Sequence, residues 1–134
     1  MNDCPTNTAL EDCLAAAQEP PYASKELAEV GHMLNRYKIP FFYKQATLVH
    51  EQGRPKVVYV DFFLPTYNDL VIDCISDPKS REYQSKKRIY RQNQISVVQI
   101  TPENLKNPGW QKNLYEIMEK HYRQPLNGTA SFKL

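Results

Sequence analysis

Cysteine is scarce: Cys4, Cys13 and Cys74 are the three in a chain of 134 residues, and they form no CxxC pair. An odd, dispersed set offers neither a disulfide framework nor the ligand spacing of a zinc site. Long apolar runs are missing as well. No stretch approaches the roughly 20 residues that cross a bilayer, and the N-terminus MNDCPTNTALEDC has no basic region followed by an apolar one. These absences lead to the expectation of a cytoplasmic protein with no membrane partner. No Pro- or Ser-rich tract and no internal repeat is present. The apolar fraction of 41% and charged fraction of 24% are those of a globular domain, not of a disordered chain. Two domains of ordinary size do not fit this length, so one is expected, over residues 24–123, with an N-terminal extension (1–23) and a C-terminal tail (124–134).

A net charge of +2 does not by itself identify a nucleic-acid partner, but its distribution is uneven. Lys79, Arg81, Lys86, Lys87, Arg88 and Arg91 cluster in one segment opposed only by Glu82. Alone, such a run reads as a solvated helix face as readily as a phosphate-binding one. The histidines, His32, His50 and His121, lack ligand-like spacing and read as structural or surface residues. Trp110 and the tyrosines Tyr43, Tyr59, Tyr67 and Tyr115 read as packing.

Thr8 and Glu11 form a capping box for a short helix, about 9–18, which Pro20-Pro21 stops. Ser24 can cap a second helix in which Leu27, Val30, Gly31, Leu34 and Tyr37 recur at helical spacing, up to Pro40. Phe41 to His50 has strand composition, and Glu51-Gln52-Gly53-Arg54-Pro55 supplies a hairpin turn. The runs VVYVDFFLP and LVIDCIS, joined by Thr66-Tyr67-Asn68-Asp69, give the second and third strands, all three antiparallel. Asp77-Pro78 predicts the start of a basic helix ending near Gln92, with Asn93 as a left-handed terminal residue. Ile95 to Ile100 predicts a fourth strand. Thr101-Pro102 and Asn107-Pro108 then offer helix starts, and Leu114, Ile117, Met118 and Tyr122 mark the core face of the last helix. The order, helix, three strands, helix, strand, helix, predicts an α/β fold: a mixed four-stranded sheet flanked by helices, with short extra helices at the ends. The tail shows no pattern.

Asp61 and Asp73 interrupt otherwise apolar strands, and an ionised carboxylate is not buried without compensation. A hard divalent cation such as Mg²⁺ or Mn²⁺ compensates naturally, because it takes carboxylate and carbonyl oxygens. Strand-end aspartates bonded to backbone N–H groups are the competing reading. Val71, Asp73 and Ile75 share one face of the third strand, so the place beside Asp73 is taken by a side chain that can neither orient nor acidify water. On the basic helix, Tyr83, Lys86 and Tyr90 share a face. If it packs on the sheet, the Lys86 stem can lie along the rings and deliver its ammonium to the aspartates. Otherwise Lys86 and Lys87 are both solvated and Ile89 with Tyr90 hold the helix.

This pattern resembles the PD-(D/E)XK, or restriction-endonuclease-like, nuclease superfamily. Val60-Asp61 stands where Pro-Asp is usual, and Asp73-Cys74-Ile75 where acid-x-Lys is usual. The segment VIDCISDPKSREYQSKKRIYRQNQISVVQI is similar to a branch of bacterial endonucleases with an aliphatic residue at the lysine position. In that branch the lysine is relocated to the next helix, four residues before a tyrosine, as Lys86 precedes Tyr90. The segment SKELAEVGHMLNRYKIPFFYKQ is similar to the first helix and strand of very-short-patch-repair-like members, in which a helical acid assists metal binding; Glu26 is the matching residue. The resemblance spans about residues 24–122 and implies an αβββαβ core and hydrolysis of DNA phosphodiester bonds. It makes Asp61, Asp73 and Lys86 catalytic, with Mg²⁺ or Mn²⁺ held by Asp61, Asp73, the Cys74 carbonyl and Glu26. Lys79, Arg81, Lys87, Arg88, Arg91, Arg54 and Lys56 would contact DNA phosphates. A homodimer would suit a domain that cuts one strand. The alternative is a decayed nuclease fold, disabled at Ile75, that holds nucleic acid or a protein without cleavage.

Overall fold

The computed structural model describes residues 21–124 and the backbone of 129–131. The helix expected near 9–18 lies outside them. Helix α1 (Lys25–Arg36) is capped by Ser24, whose hydroxyl accepts from Leu27 N–H, and it buries Leu27, Val30, Gly31, Met33 and Leu34. Tyr37, expected on that face, is instead the exposed residue ending the helix.

Strand β1 (Phe42–Glu51) and β2 (Arg54–Leu64) form a long antiparallel ribbon closed by Gln52-Gly53. Both turn residues have positive φ, at 53° and 78°. That is the backbone of a type I′ hairpin, whose twist matches the strands it joins. A 3₁₀ turn (Pro65–Tyr67) and the left-handed pair Asn68-Asp69 lead into β3 (Leu70–Cys74). The Asn68 amide donates to the carbonyls of His121 and Tyr122, tying this turn to the end of the last helix.

After β3 the chain crosses over through α2 (Arg81–Gln92) to β4 (Val97–Ile100), which lies parallel to β3, as a connection carrying a helix allows. Helix α2 starts three residues later than expected. Its cap is Ser80, because the Asp77 carboxylate instead accepts from Lys79 N–H in a local turn. Nor is Asn93 left-handed. Its amide bonds both backbone groups of His50 and the Ile89 carbonyl, clamping the end of α2 to β1, and Gln94 takes the positive φ.

Thr101 caps the short α3 (Pro102–Leu105) in a reciprocal box with Asn104. Helix α4 (Trp110–Arg123) buries Trp110, Leu114, Met118 and His121. Tyr122 is exposed, so the core stripe ends on His121 instead. The tail contributes a further strand, β5 (Thr129–Ser131), parallel to β4, and the sheet is five-stranded in the order β1-β2-β3-β4-β5. The fourfold sheet expected from sequence missed a strand of three residues, too short to carry an alternation.

The architecture is thus α/β, a mixed sheet flanked by helices. On one face Phe62, Leu64, Leu70, Ile72, Val98 and Ile100 pack with the apolar stripes of α1 and α4; on the other Val60, Val71 and Val97 pack with Tyr90 of α2. Val60 and Phe62 are two residues apart on one strand and should share a face. They lie in different core clusters, so the alternation of β2 breaks at the residue between them, Asp61. Among the described residues no helix is long and apolar enough to cross a membrane.

Candidate functional site

The break in alternation at Asp61 coincides with the end of a ladder. Strands β2 and β3 pair at Leu64–Leu70, Phe63–Val71 and Phe62–Ile72 and no further. Beyond that point side chains take over: Asp61 N–H donates to Asp73 Oδ1 at 3.0 Å, and Cys74 N–H donates to Asp61 Oδ2 at 2.9 Å. Both carboxylates are thereby fixed where the strands part, and both are nearly buried, at 7% and 3% exposure for Asp61 and Asp73. The two readings of the aspartates meet here. They do bond backbone N–H groups, and they also share one site.

The face of α2 expected from the spacing of Tyr83, Lys86 and Tyr90 does turn to this site. Tyr90 O–H donates to Asp73 Oδ2 at 2.6 Å. Lys86 Nζ donates to the Tyr59 carbonyl at 2.7 Å, stands 3.6 Å from Asp73 Oδ2 and lies over the Tyr90 ring, 5.7 Å from its centroid. Arg81, Arg88 and Arg91 on α2 and Lys79 before it are exposed, and Lys87, beside the Tyr83 and Tyr90 face, is half-buried. Arg54 and Lys56 stand exposed at the ribbon tip, where Lys56 also pairs with Glu51 at 3.3 Å. None of these cations pairs with the carboxylates or lines the clefts beside them. Tyr59, read as packing, is largely exposed on the ribbon.

Lys44 is the site residue that the sequence reading missed. Its Nζ lies 2.6 Å from Asp61 Oδ1. It sits on β1 with φ at 51°, in the left-handed region, between the ladder pairs Tyr43–Phe62 and Gln45–Val60. A signal was available. A two-residue turn at Gln52-Gly53 makes partner numbers sum to a constant, and the partner of Lys44 is then Asp61.

Electrostatics follow from this packing. Burial pushes the Asp73 carboxyl above its ordinary range; the Lys86 ammonium opposes this, the Asp61 charge adds to it, and the bonds from Asp61 N–H and Tyr90 oppose it. Tyr90 is pushed far up by burial and by the Asp73 charge, so its hydroxyl stays a donor. Burial pushes the Cys74 thiol up too, with Asp61 and Asp73 adding to it, which leaves a neutral thiol. For Lys44 burial works against the charge, but the hydrogen bond and charge of Asp61 outweigh it and hold the ammonium above its usual value.

Two clefts, each of about 220 Å³, open on either side of Asp61 and share Asp61, Cys74, Ile75 and Ser76. One also holds Glu26, Ser24 and Lys44; the other holds Asp73, Tyr83, Glu82 and Lys86. Tyr83 lines the second, and its hydroxyl is buried without a hydrogen-bond partner. Among the described residues no group of three or more His, Cys, Asp or Glu side chains is placed to hold a metal ion. Glu26 therefore borders the site without completing a ligand set. The oxygen donors still suit a hard cation: a carboxylate has about four lone-pair positions, and Asp61 and Asp73 each accept two close hydrogen bonds. With the Cys74 backbone carbonyl these oxygens fit Mg²⁺ or Mn²⁺ chemistry, whereas the neutral Cys74 thiol does not. Comparison with family models, with curated proteins and with solved structures gives no match for this chain.

Proposed function

We propose that this protein is a restriction-endonuclease-like, metal-dependent endonuclease that hydrolyses DNA phosphodiester bonds. One observation carries the reading: two nearly buried carboxylates from parting strands and an ammonium from the crossover helix converge beside a solvent-open cleft. The element order and the place of Lys86, four residues before Tyr90, support it further. Ile75 lines the same clefts in place of a lysine, and Lys86 brings its ammonium to that side from α2.

Asp61, Asp73 and the Cys74 carbonyl would hold the divalent ion, which supplies a bound water of lowered pKa and neutralises phosphate charge. Lys86 would stabilise charge developing on the phosphate from a fixed position, since its Tyr59 anchor leaves it beside Asp73 without occupying the carboxylate at bonding distance. Tyr90 orients Asp73. The exposed cations of α2 and the ribbon tip would hold the DNA backbone without reading sequence.

A second reading, a decayed fold that binds nucleic acid or a protein partner without cutting, is favoured by Lys44. Its ammonium already satisfies Asp61, as the internal cation of a retired metal site would. Incubation with plasmid, single-stranded and branched DNA in Mg²⁺ or Mn²⁺ separates the two. Cleavage that needs the metal and disappears in Asp73→Ala supports the enzyme; DNA binding with no cleavage supports the second reading. Equal traces of cutting in both proteins count as contamination and go against the enzyme.

A further inference from the structure

We infer that Lys44 is a tethered counter-cation that occupies Asp61 in the metal-free protein and vacates it when a divalent cation binds. This rests on the proposed metal site and concerns how that site is kept.

Charge balance is the first argument. Two nearly buried carboxylates, Asp61 and Asp73, are matched by two ammoniums, Lys44 at 2.6 Å and Lys86 at 3.6 Å. A divalent ion added to this set leaves an excess of two positive charges in a poorly solvated place, which is costly unless a lysine withdraws.

The second argument says which lysine moves. Lys86 is held by the Tyr59 carbonyl at 2.7 Å and by the Tyr90 ring, and its side chain is 30% exposed. It can stay, because its hydrogen bond is not to a carboxylate. The Lys44 hydrogen bond is to Asp61 itself, and its side chain is 43% exposed on the rim of an open cleft. It can withdraw into solvent by rotating its stem.

Backbone geometry is the third. A lysine at positive φ inside a strand is strained. Lys44 carries that conformation at the one position of β1 that faces Asp61, in the gap between two ladder pairs. The carboxylates thus keep a charge partner when no metal is present, and the metal must compete with it.

The test is Mn²⁺ binding to the full chain, by calorimetry and by the electron paramagnetic resonance of free Mn²⁺, for wild type, Lys44→Gln, Lys44→Met and Lys44→Arg. Far-UV circular dichroism and thermal melts verify folding, and Lys44→Gln retains a donor for Asp61 should Lys44→Met not fold. The neutral variants are expected to bind Mn²⁺ about tenfold to a hundredfold more tightly, since a charge-assisted hydrogen bond no longer has to be broken. Lys44→Arg should stay near wild type. Equal affinity in wild type and both neutral variants overturns the counter-cation role while leaving the metal site standing. No Mn²⁺ binding by any of the four proteins overturns both.

Discussion

Removal of the Tyr90 hydroxyl tests whether the buried carboxylate is held as an anion. In Tyr90→Phe the ring stays, so the Val60, Val71 and Val97 cluster keeps its packing and no cavity opens. What goes is the 2.6 Å bond to Asp73 Oδ2, at a carboxylate only 3% exposed. A hydrogen bond to a charged group contributes about 1.5–3 kcal/mol, against about 0.5–1.5 kcal/mol for a neutral pair. At roughly 4 °C per kcal/mol for a chain of this size, Tm should fall by about 6–12 °C near neutral pH. The pH dependence fixes the mechanism. Burial raises the folded-state pKa of Asp73, so the native state holds that proton more tightly than the unfolded chain does. Its contribution is full below the ordinary carboxylate range and is lost as pH rises through the folded value. Tyr90 bonds the charged form, so deleting its hydroxyl raises that value further and deepens the loss. The difference in Tm between wild type and Tyr90→Phe should therefore grow from acid to neutral pH. Melts across that range, followed by circular dichroism, measure it. A difference that is constant with pH, or below about 2 °C at neutral pH, would refute an anionic Asp73 braced by Tyr90.

Tyr83→Phe, the same change seven residues earlier on α2, should leave stability unchanged or raise it by up to about 1 kcal/mol, because that buried hydroxyl has no partner to lose. A thermal melt measures it, and a fall in Tm of more than about 2 °C would refute an unpartnered hydroxyl. Lys86→Met should lower metal-dependent cleavage by about a hundredfold or more, beyond the fall in Tm expected from leaving Asp73 without its ammonium; retained cleavage in the folded variant would remove Lys86 from the chemistry. Gly31→Ala places a methyl against the Tyr22 ring, and the clash should outweigh the gain in helix propensity, costing about 1–3 kcal/mol in urea unfolding. Gln52→Asn, at a positive-φ turn position that asparagine tolerates better, should raise Tm by about 2–4 °C.

Much of the fold was legible because its signals are local. Ser24 before a helical stripe, Gln52-Gly53 between two strand runs, and the apolar run interrupted by Asp61 each name their own structure. Local rules fail where two residues compete for one role. Asp77-Pro78 and Ser80 can each cap a helix, and only the turn that engages the Asp77 carboxylate decides for Ser80. Asn93 suits a left-handed residue, yet the nearby His50 backbone offers its amide better bonds. In the site, Asp61, Asp73 and Lys86 could be found by asking what charge interrupts an apolar pattern and what shares a helix face. Lys44 has no local mark in FFYKQAT; only the hairpin register set by Gln52-Gly53, which pairs it with Asp61, could have named it. The tail strand Thr129–Ser131 is fixed by pairing with β4, a long-range fact with no local trace.

The parting of β2 from β3 at Asp61 makes the outer ribbon a lever with its fulcrum in the site. From Glu51–Arg54 to Gln45–Val60 the ribbon strands pair only with each other, and Asn93 braces them from the end of α2. Three groups at the root of this lever set the charges of the site: Lys44 on β1, Asp61 on β2, and the Tyr59 carbonyl that anchors Lys86. Arg54 and Lys56 at the tip stand on the same strand as Tyr59 and Asp61, so the basic end and the charged root belong to one continuous element.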